Sequence, residues 1–323
     1  MGGEAVCLRP APSTAAPTIW VCPRTTSLPT ATPVVRVPTH GRRCKPPMRS
    51  TIQIRNMPTC VHVWRNTMRS SHGNATTQTT PAVYWPAQAY GDYARAARAW
   101  GLSSTDTAAQ AQLIWLCEPS SPLGQSDADA PARVAQLREH QQLVLDLAYE
   151  PLRLSGQSLL LQSTAKDRVW QMWTPNKALG MTGVRAAYVI APEGAQEAVD
   201  HLQALAPSWV MGAHGVALLH AWCEPSVQQW LLTARQTLRE WKAQQITLCE
   251  SFGWQVHASE ANYFAARLPQ PLQDEQCKAL RSHGVKLRDA TSFGLPDWVR
   301  VGVRSPASQA VLAQAWHNLG VSA

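Results

Sequence analysis

Lys177 is the residue most able to do chemistry in this chain, because of what stands around it. It lies in Trp173-Thr-Pro-Asn-Lys-Ala-Leu-Gly-Met-Thr-Gly-Val-Arg-Ala-Ala-Tyr188, with Thr174 and Asn176 before it and Gly180, Gly183 and Arg185 after it. Glycines let a backbone come close to a ligand, and Arg185 supplies a fixed cation. A lysine that traps a carbonyl group covalently needs this setting: a crevice, a pKa lowered by burial or a nearby cation, and an anion site beside it. The same residues also describe an exposed lysine in a glycine-bearing loop. A second candidate is Asp146, which closes the apolar run Leu143–Leu145. A carboxylate at the carboxyl end of a parallel strand points into the crevice where such sheets bind ligands; the structural reading of Asp146 is a turn or helix cap.

The elements that must position these groups follow from periodicity and breakers. Leu113–Cys117 is a continuous apolar run of strand length, suited to the middle of a parallel sheet. It leads into the turn Glu118-Pro-Ser-Ser-Pro-Leu-Gly124. Val83–Pro86 reads as a short strand before Ala89-Tyr-Gly-Asp-Tyr93 and a helix, Tyr93–Trp100, ended by Gly101. A helix is predicted over 131–142, and strands over 159–161, 169–173 and 184–190, the third of these four segments delivering Lys177. Helices are expected over 193–205, 215–223 and 227–248, with Trp230, Leu231, Ala234, Leu238 and Trp241 forming a core stripe on the last. Strands over 253–256, 263–268 and 298–303, with a helix over 271–284, complete a smaller α/β part.

Three segments in order resemble the class I/II branch of the fold-type I pyridoxal-phosphate (PLP) enzymes. The family's Schiff-base segment, Ser-x-[Ser/Asn]-Lys-x-x-Gly-x-x-Gly-x-Arg, is similar to Thr174–Arg185; its Asp-x-Ala-Tyr is similar to Asp146–Tyr149; its Asn-Pro-x-Asn-Pro-x-Gly turn is similar to Glu118–Gly124. The resemblance implies a mostly parallel large domain and a smaller carboxyl-terminal α/β domain, covering about residues 82 to 323. It implies that Lys177 binds PLP covalently, that Asp146 pairs with the pyridine nitrogen, and that Tyr149 bonds the phenolic oxygen. Ser121 stands where the family has a second Asn for that oxygen, and its shorter side chain leaves that role open. Thr174 and Arg185 match the phosphate-binding positions, Asn176 stands where many members have Ser, and Tyr90 matches the ring that stacks on the cofactor. Ser259-Glu-Ala-Asn262-Tyr-Phe is similar to the family's Ser-x-x-Asn-Phe; Arg300 matches the clamp for the substrate α-carboxylate, and Arg288 is a candidate for a second anionic group.

Within the family, the likeness is to the branch of histidinol-phosphate aminotransferases and the L-threonine-O-3-phosphate decarboxylases of cobalamin biosynthesis. Thr174–Arg185 together with Arg288-Asp-Ala-Thr-Ser-Phe-Gly-Leu-Pro296 looks more like the decarboxylases. The resemblance thus implies a PLP-dependent lyase acting on a small phosphorylated amino acid, in a homodimer. The alternatives are an aminotransferase of a phosphorylated substrate, or an impaired member that lacks part of the PLP domain.

The net charge of +8 is not spread over the chain: residues 1–80 hold ten Lys/Arg and one acid, the remainder 19 basic and 20 acidic side chains. That first segment also has ten of the 24 prolines and no sustained apolar period. It is expected to be irregular, as a disordered leader or a reading frame translated out of register, and it shows no Gly-Ser loop for a cofactor phosphate. The expected organisation is 1–80 as this segment, 81–205 as the rest of the PLP-binding domain, and 206–323 as an interdomain helix and small domain. A nucleic-acid module is disfavoured, because the positive charge has no aromatic interleaving. No apolar run approaches the roughly 20 residues of a membrane span. Eight cysteines without paired spacing suggest neither a zinc site nor a disulfide framework, and Cys22, His40, Cys44, Cys60 and His62 have no ligand spacing. No metal is expected, and the default compartment is the cytoplasm.

Overall fold

The computed structural model describes residues 51–53, 80–161 and 165–320. The expectations for the rest of the first eighty residues, including its cysteines and histidines, lie outside them. Within that segment, β1 (Thr51–Gln53) is a strand, where irregular chain was expected.

The first sheet is organised by two apolar strands, β4 (Leu113–Cys117) and β5 (Gln142–Asp146), paired in parallel with Cys117 opposite Asp146. β2 (Ala82–Tyr84), β3 (Ser103–Ser104) and β6 (Trp170–Trp173) extend the parallel set, β7 (Tyr188–Ile190) returns antiparallel to β6, and β1 pairs antiparallel with β7. The order is β1-β7-β6-β5-β4-β2-β3. Both faces are covered, which explains why β4 and β5 read as unbroken apolar runs instead of alternating. On one face Trp115, Val144 and Trp170 pack with Tyr93 and Ala97 of α1 (Gly91–Ala99) and with Leu202 of α4 (Gln196–Leu205). On the other, Ile114, Leu116, Leu143 and Leu145 pack with Val134 of α2 (Ala130–Ala135). Each such buried side chain contributes roughly 1.5–3 kcal/mol.

The strand expected over 184–190 is confined to Tyr188–Ile190, and two further elements differ from expectation. The helix over 131–142 stops at Ala135, where Arg168, the last residue of α3 (Ala165–Arg168), donates to the carbonyls of Ala135 and Leu137. The Gln141 side chain then donates to the carbonyls of Ala108 and Ala111 and holds the chain ready for β5. Leu159–Leu161 is a 3-10 turn and not a strand: Ser158 accepts from the amides of both Leu160 and Leu161, and Leu161 is 77% exposed.

After α5 (Ala213–Cys223) comes α6 (Pro225–Ser251), a 27-residue helix about 40 Å long at 1.5 Å per residue. Its buried stripe runs through Leu231, Lys242, Gln245 and Cys249, whereas Trp230, expected in the core, is 46% exposed. Two polar residues fit that stripe because each finds backbone partners. Lys242 donates to the carbonyls of Ser259 and Ala261, and Gln245 bridges the Gly302 carbonyl and the Arg304 amide.

The second sheet is antiparallel, in the order β10 (Arg288–Asp289), β11 (Trp298–Gly302), β9 (Tyr263–Arg267), β8 (Gln255–Val256). Phe264, Ala266, Val299 and Val301 form one face and pack with Leu312 and Trp316 of α8 (Pro306–Asn318), a helix that sequence periodicity did not single out. α7 (Asp274–Ser282) is closed by a capping box of Gln273 and Gln276. The two-residue period of β11 therefore turns Arg300 to the other face, with Tyr263. That alternation puts a guanidinium beside the first sheet.

Candidate active site

Asp146 is the most buried charge of the site, 5% exposed at the carboxyl end of β5. Tyr93 donates its hydroxyl to Oδ2 at 2.8 Å, and the Ala148 amide donates to Oδ1 at 3.0 Å. Burial raises the carboxyl pKa above its ordinary value, while the Lys177 charge and these two donors oppose the rise. Tyr93 stacks on Trp115 at 5.2 Å, and burial with the Asp146 charge pushes its phenol well up, so it stays a donor. Cys117, opposite Asp146 in the register, is likewise pushed up by burial and by that charge.

Lys177 follows β6 in a loop closed at both ends. Thr174 donates its hydroxyl to the Ala186 carbonyl at 2.7 Å, which brings Thr174 next to Arg185. The amides of Leu179, Gly180 and Met181 bond back to the carbonyls of Pro175, Lys177 and Asn176. Gly180, at φ +67°, takes the left-handed turn that a side chain would resist. Ala178 anchors the loop against Leu152 and Leu231. The half-buried Lys177 then lies with Nζ 4.9 Å from the centre of the Tyr149 ring.

Tyr149 is also where the second sheet arrives. Arg300 donates to the Tyr149 oxygen at 2.8 Å and stacks its guanidinium on Tyr263 at 3.8 Å. Tyr263 in turn donates to the Ser120 carbonyl at 2.6 Å, beside buried Ser121. Arg288 is directly opposite Arg300 in the antiparallel register and exposed. Its guanidinium lies 5.6 Å from the centre of the Phe293 ring and 3.5 Å from the Ser292 hydroxyl, while that of Arg300 turns to Tyr149 and Tyr263.

Tyr90, 42% exposed, contacts Tyr93 edge-on at 5.9 Å; burial first and Asp92 second push its phenol up to about 12, against the charge of Arg185. Arg185 is exposed and, among the described residues, donates a long bond, 3.4 Å, to the Thr182 carbonyl. Asn176 is buried, with no hydrogen-bond partner for Oδ1 among the described residues. A cavity of about 220 Å³ at the carboxyl ends of β2 and β4 is lined by Tyr93, Cys117 and Ser121. Thus Lys177, Asp146, Tyr149 and Arg300 converge, Thr174, Arg185 and Tyr90 flank them, and Arg288 joins through strand register.

Sequence reasoning missed Tyr93, Tyr263 and the buried Arg153, which bonds Glu118, Glu150 and Glu260. Tyr93 could have been found as the second aromatic of Tyr-Gly-Asp-Tyr, one helical turn after Tyr90. Among the described residues no cluster of three His, Cys, Asp or Glu could hold a metal, and no helix is long and apolar enough to cross a membrane.

A family model described as aminotransferase class I and II matches residues 82–319. A histidinol-phosphate aminotransferase of Natronomonas pharaonis is 27% identical over 205 residues, covering 62% of this chain and 54% of that protein. One of Symbiobacterium thermophilum is 28% identical over 203 residues, covering 61% and 53%. The chain spans about half the length of these curated relatives. In fold it is similar to the L-threonine-O-3-phosphate decarboxylase of Porphyromonas gingivalis (TM-score 0.63, 18% identity, 83% of both chains). The histidinol-phosphate aminotransferase of Clostridium acetobutylicum is similar as well (TM-score 0.68, 14% identity, 83% of both).

The residues fit the cofactor of that family, PLP. A buried carboxylate whose charge is opposed by burial suits a protonated ring nitrogen. Beside Lys177 the Asn176 amide oxygen is buried and, among the described residues, has no partner. Thr174 fits less directly, since its single proton is engaged by Ala186 and leaves Arg185 as the cationic donor for a phosphate.

Proposed function

The chain belongs to the class I and II aminotransferase family, and from that premise we propose that it decarboxylates L-threonine O-3-phosphate to (R)-1-aminopropan-2-yl phosphate. Lys177 would hold the cofactor covalently, Asp146 its ring nitrogen, Tyr149 and Ser121 its phenolic oxygen. Thr174, Asn176 and Arg185 would hold its phosphate side, and Tyr90 would stack on its ring. PLP, when bound, supplies a sink for the electrons of a bond broken at the substrate α-carbon.

The chain's own groups do the rest. Asp146, whose charged form Lys177, Tyr93 and the Ala148 amide favour against its burial, would hold a proton on the ring nitrogen. Tyr149 accepts from Arg300 and keeps its own phenol proton to donate. Arg300 would orient the α-carboxylate and Arg288 the substrate phosphate, and how these two hold the substrate would decide which bond at its α-carbon is broken. Where the carboxylate is lost, Lys177 Nζ would supply the proton that replaces it on the α-carbon. Where a hydrogen is removed instead, the same amine would carry that proton, and the outcome would be amino transfer.

The observation that carries a phosphorylated, carboxylate-bearing substrate is the register of Arg288 opposite Arg300, with Arg300 on the ring that Lys177 also touches. The likeness of segments 174–185 and 288–296 supports decarboxylation. The curated histidinol-phosphate aminotransferases support the second reading, amino transfer to or from a phosphorylated substrate. Product analysis separates them: carbon dioxide from phosphothreonine supports the first, an oxo product the second, and neither from a PLP-loaded homodimer contradicts both.

A further inference from the structure

Between the two sheets lies a guanidinium that none of these roles uses. Arg153, 3% exposed, engages all three of its nitrogens. Nε bonds Glu150 at 2.9 Å, Nη2 bonds Glu118 at 2.8 Å, and Nη1 bonds both Ser126, at 2.7 Å, and Glu260. The side chains of Glu118, Glu150 and Glu260 are 1%, 12% and 27% exposed, so one cation faces three poorly hydrated acids. Such a cluster is a weak device for stability alone, since well-packed apolar groups do as well or better. Its placement is more informative. Glu118 opens the turn that carries Ser121, Glu150 adjoins Tyr149, and Glu260 lies three residues before Tyr263.

The backbone around Glu260 is stitched to the same two segments. Its amide donates to the Gly124 carbonyl and its carbonyl accepts from Leu154, both at 2.6 Å. Ser126 donates to its carboxylate at 2.7 Å. The approach is close enough to exclude any side chain at Gly124 or Gly156, where a Cβ would lie 2.2 Å from Ser259 Oγ or 2.4 Å from the Glu260 carboxyl carbon. Lys242 donates to the carbonyls on either side of Glu260.

We propose that Arg153 is a positioning residue: by gripping Glu118, Glu150 and Glu260 together, it sets Tyr263, and through it the Arg300 guanidinium, against Tyr149 and the Ser121 turn. The proposal deepens the functional reading above and rests on it for the meaning of Arg300. Glu260 is the arm that reaches the second sheet, so its loss displaces Arg300 while Lys177 and Asp146 stay in place.

The test uses the full-length, PLP-loaded protein and Glu260→Gln, which keeps Arg153 paired with Glu118 and Glu150. For phosphothreonine, KM rises on the order of tenfold, because small misplacements of an orienting group are costly. The kcat falls as well, because Arg300 also orients the scissile bond, whereas borohydride fixes as much cofactor on Lys177 as in the wild type. In Glu260→Gln combined with Arg300→Lys the KM increment of Glu260→Gln is lost, as expected of coupled residues. Independently of turnover, phenylglyoxal modifies Arg300 severalfold faster in Glu260→Gln, as mapped on peptides. A lowered Tm with unchanged KM and unchanged Arg300 reactivity would reduce the cluster to a structural role and overturn the proposal. If Glu260→Gln does not fold, Ser126→Ala, which breaks two of the bonds without moving a charge, must raise KM and Arg300 reactivity in the same sense. A wild type that loads cofactor but leaves phosphothreonine untouched fails the functional reading, and the phenylglyoxal rates still decide the positioning one.

Discussion

Arg300 donates to the Tyr149 oxygen at 2.8 Å across 151 residues of sequence, and the same tyrosine ring lies 4.9 Å from Lys177 Nζ. One aromatic ring thus meets both the amine that would hold the cofactor and the cation that would hold the substrate carboxylate. Arg300→Lys keeps the charge but loses the planar fork. Charge-assisted hydrogen bonds of about 1.5–3 kcal/mol predict a fall in kcat/KM of roughly 10- to 100-fold. Steady-state kinetics on phosphothreonine check this, and an unchanged value would remove Arg300 from the substrate site.

Tyr93 supplies a hydrogen bond that favours the charged form of Asp146 against its burial. In the proposed role Asp146 must be charged, so activity should be lost as pH falls through its raised pKa. Tyr93→Phe removes a donor to the charged form, and the acidic limb of the kcat/KM profile moves to higher pH. A limb that stays put, or moves down, contradicts this account of Asp146.

Much of this was legible in the sequence because its causes are local. The apolar runs of β4 and β5, the loop around Lys177 and the body of α6 come from residues near each other in the chain. What was not legible depends on distant partners. Arg153 reaches Glu260 over 107 residues, and neither looks unusual in its own segment. Leu159–Leu161 has the composition of a strand but is turned by the Ser158 hydroxyl and carbonyl. Lys242 sits in an apolar stripe because two carbonyls from another element meet it there. α8 went unmarked, although Ser305-Pro306 opens it in the manner of a helix start.

Gly124 is held at φ +74° with Ser259 against it. Gly124→Ala adds left-handed backbone strain to a steric overlap, and together these predict a loss of about 2–4 kcal/mol in urea unfolding. A loss under about 1 kcal/mol would mean that the 259–261 segment yields easily, which is at odds with a rigid seam.

Burial lowers the Lys242 pKa from 10.5 to about 8, against the pull of Glu260. The unfolded chain therefore keeps this proton where the folded chain gives it up. The cost to the fold is fully present below about pH 8 and is relieved as pH rises towards 10.5. Relative to Lys242→Met, the wild type should gain unfolding free energy across that interval. Parallel stability curves for the two proteins would contradict the shift.

The most direct measurement concerns Lys177 itself. Purified protein soaked with PLP, reduced with borohydride and digested should carry the pyridoxyl label on the peptide containing Lys177, and Lys177→Ala should carry none. A wild-type protein that leaves that amine unlabelled, or labels other lysines equally, would contradict the assignment on which every catalytic role here depends.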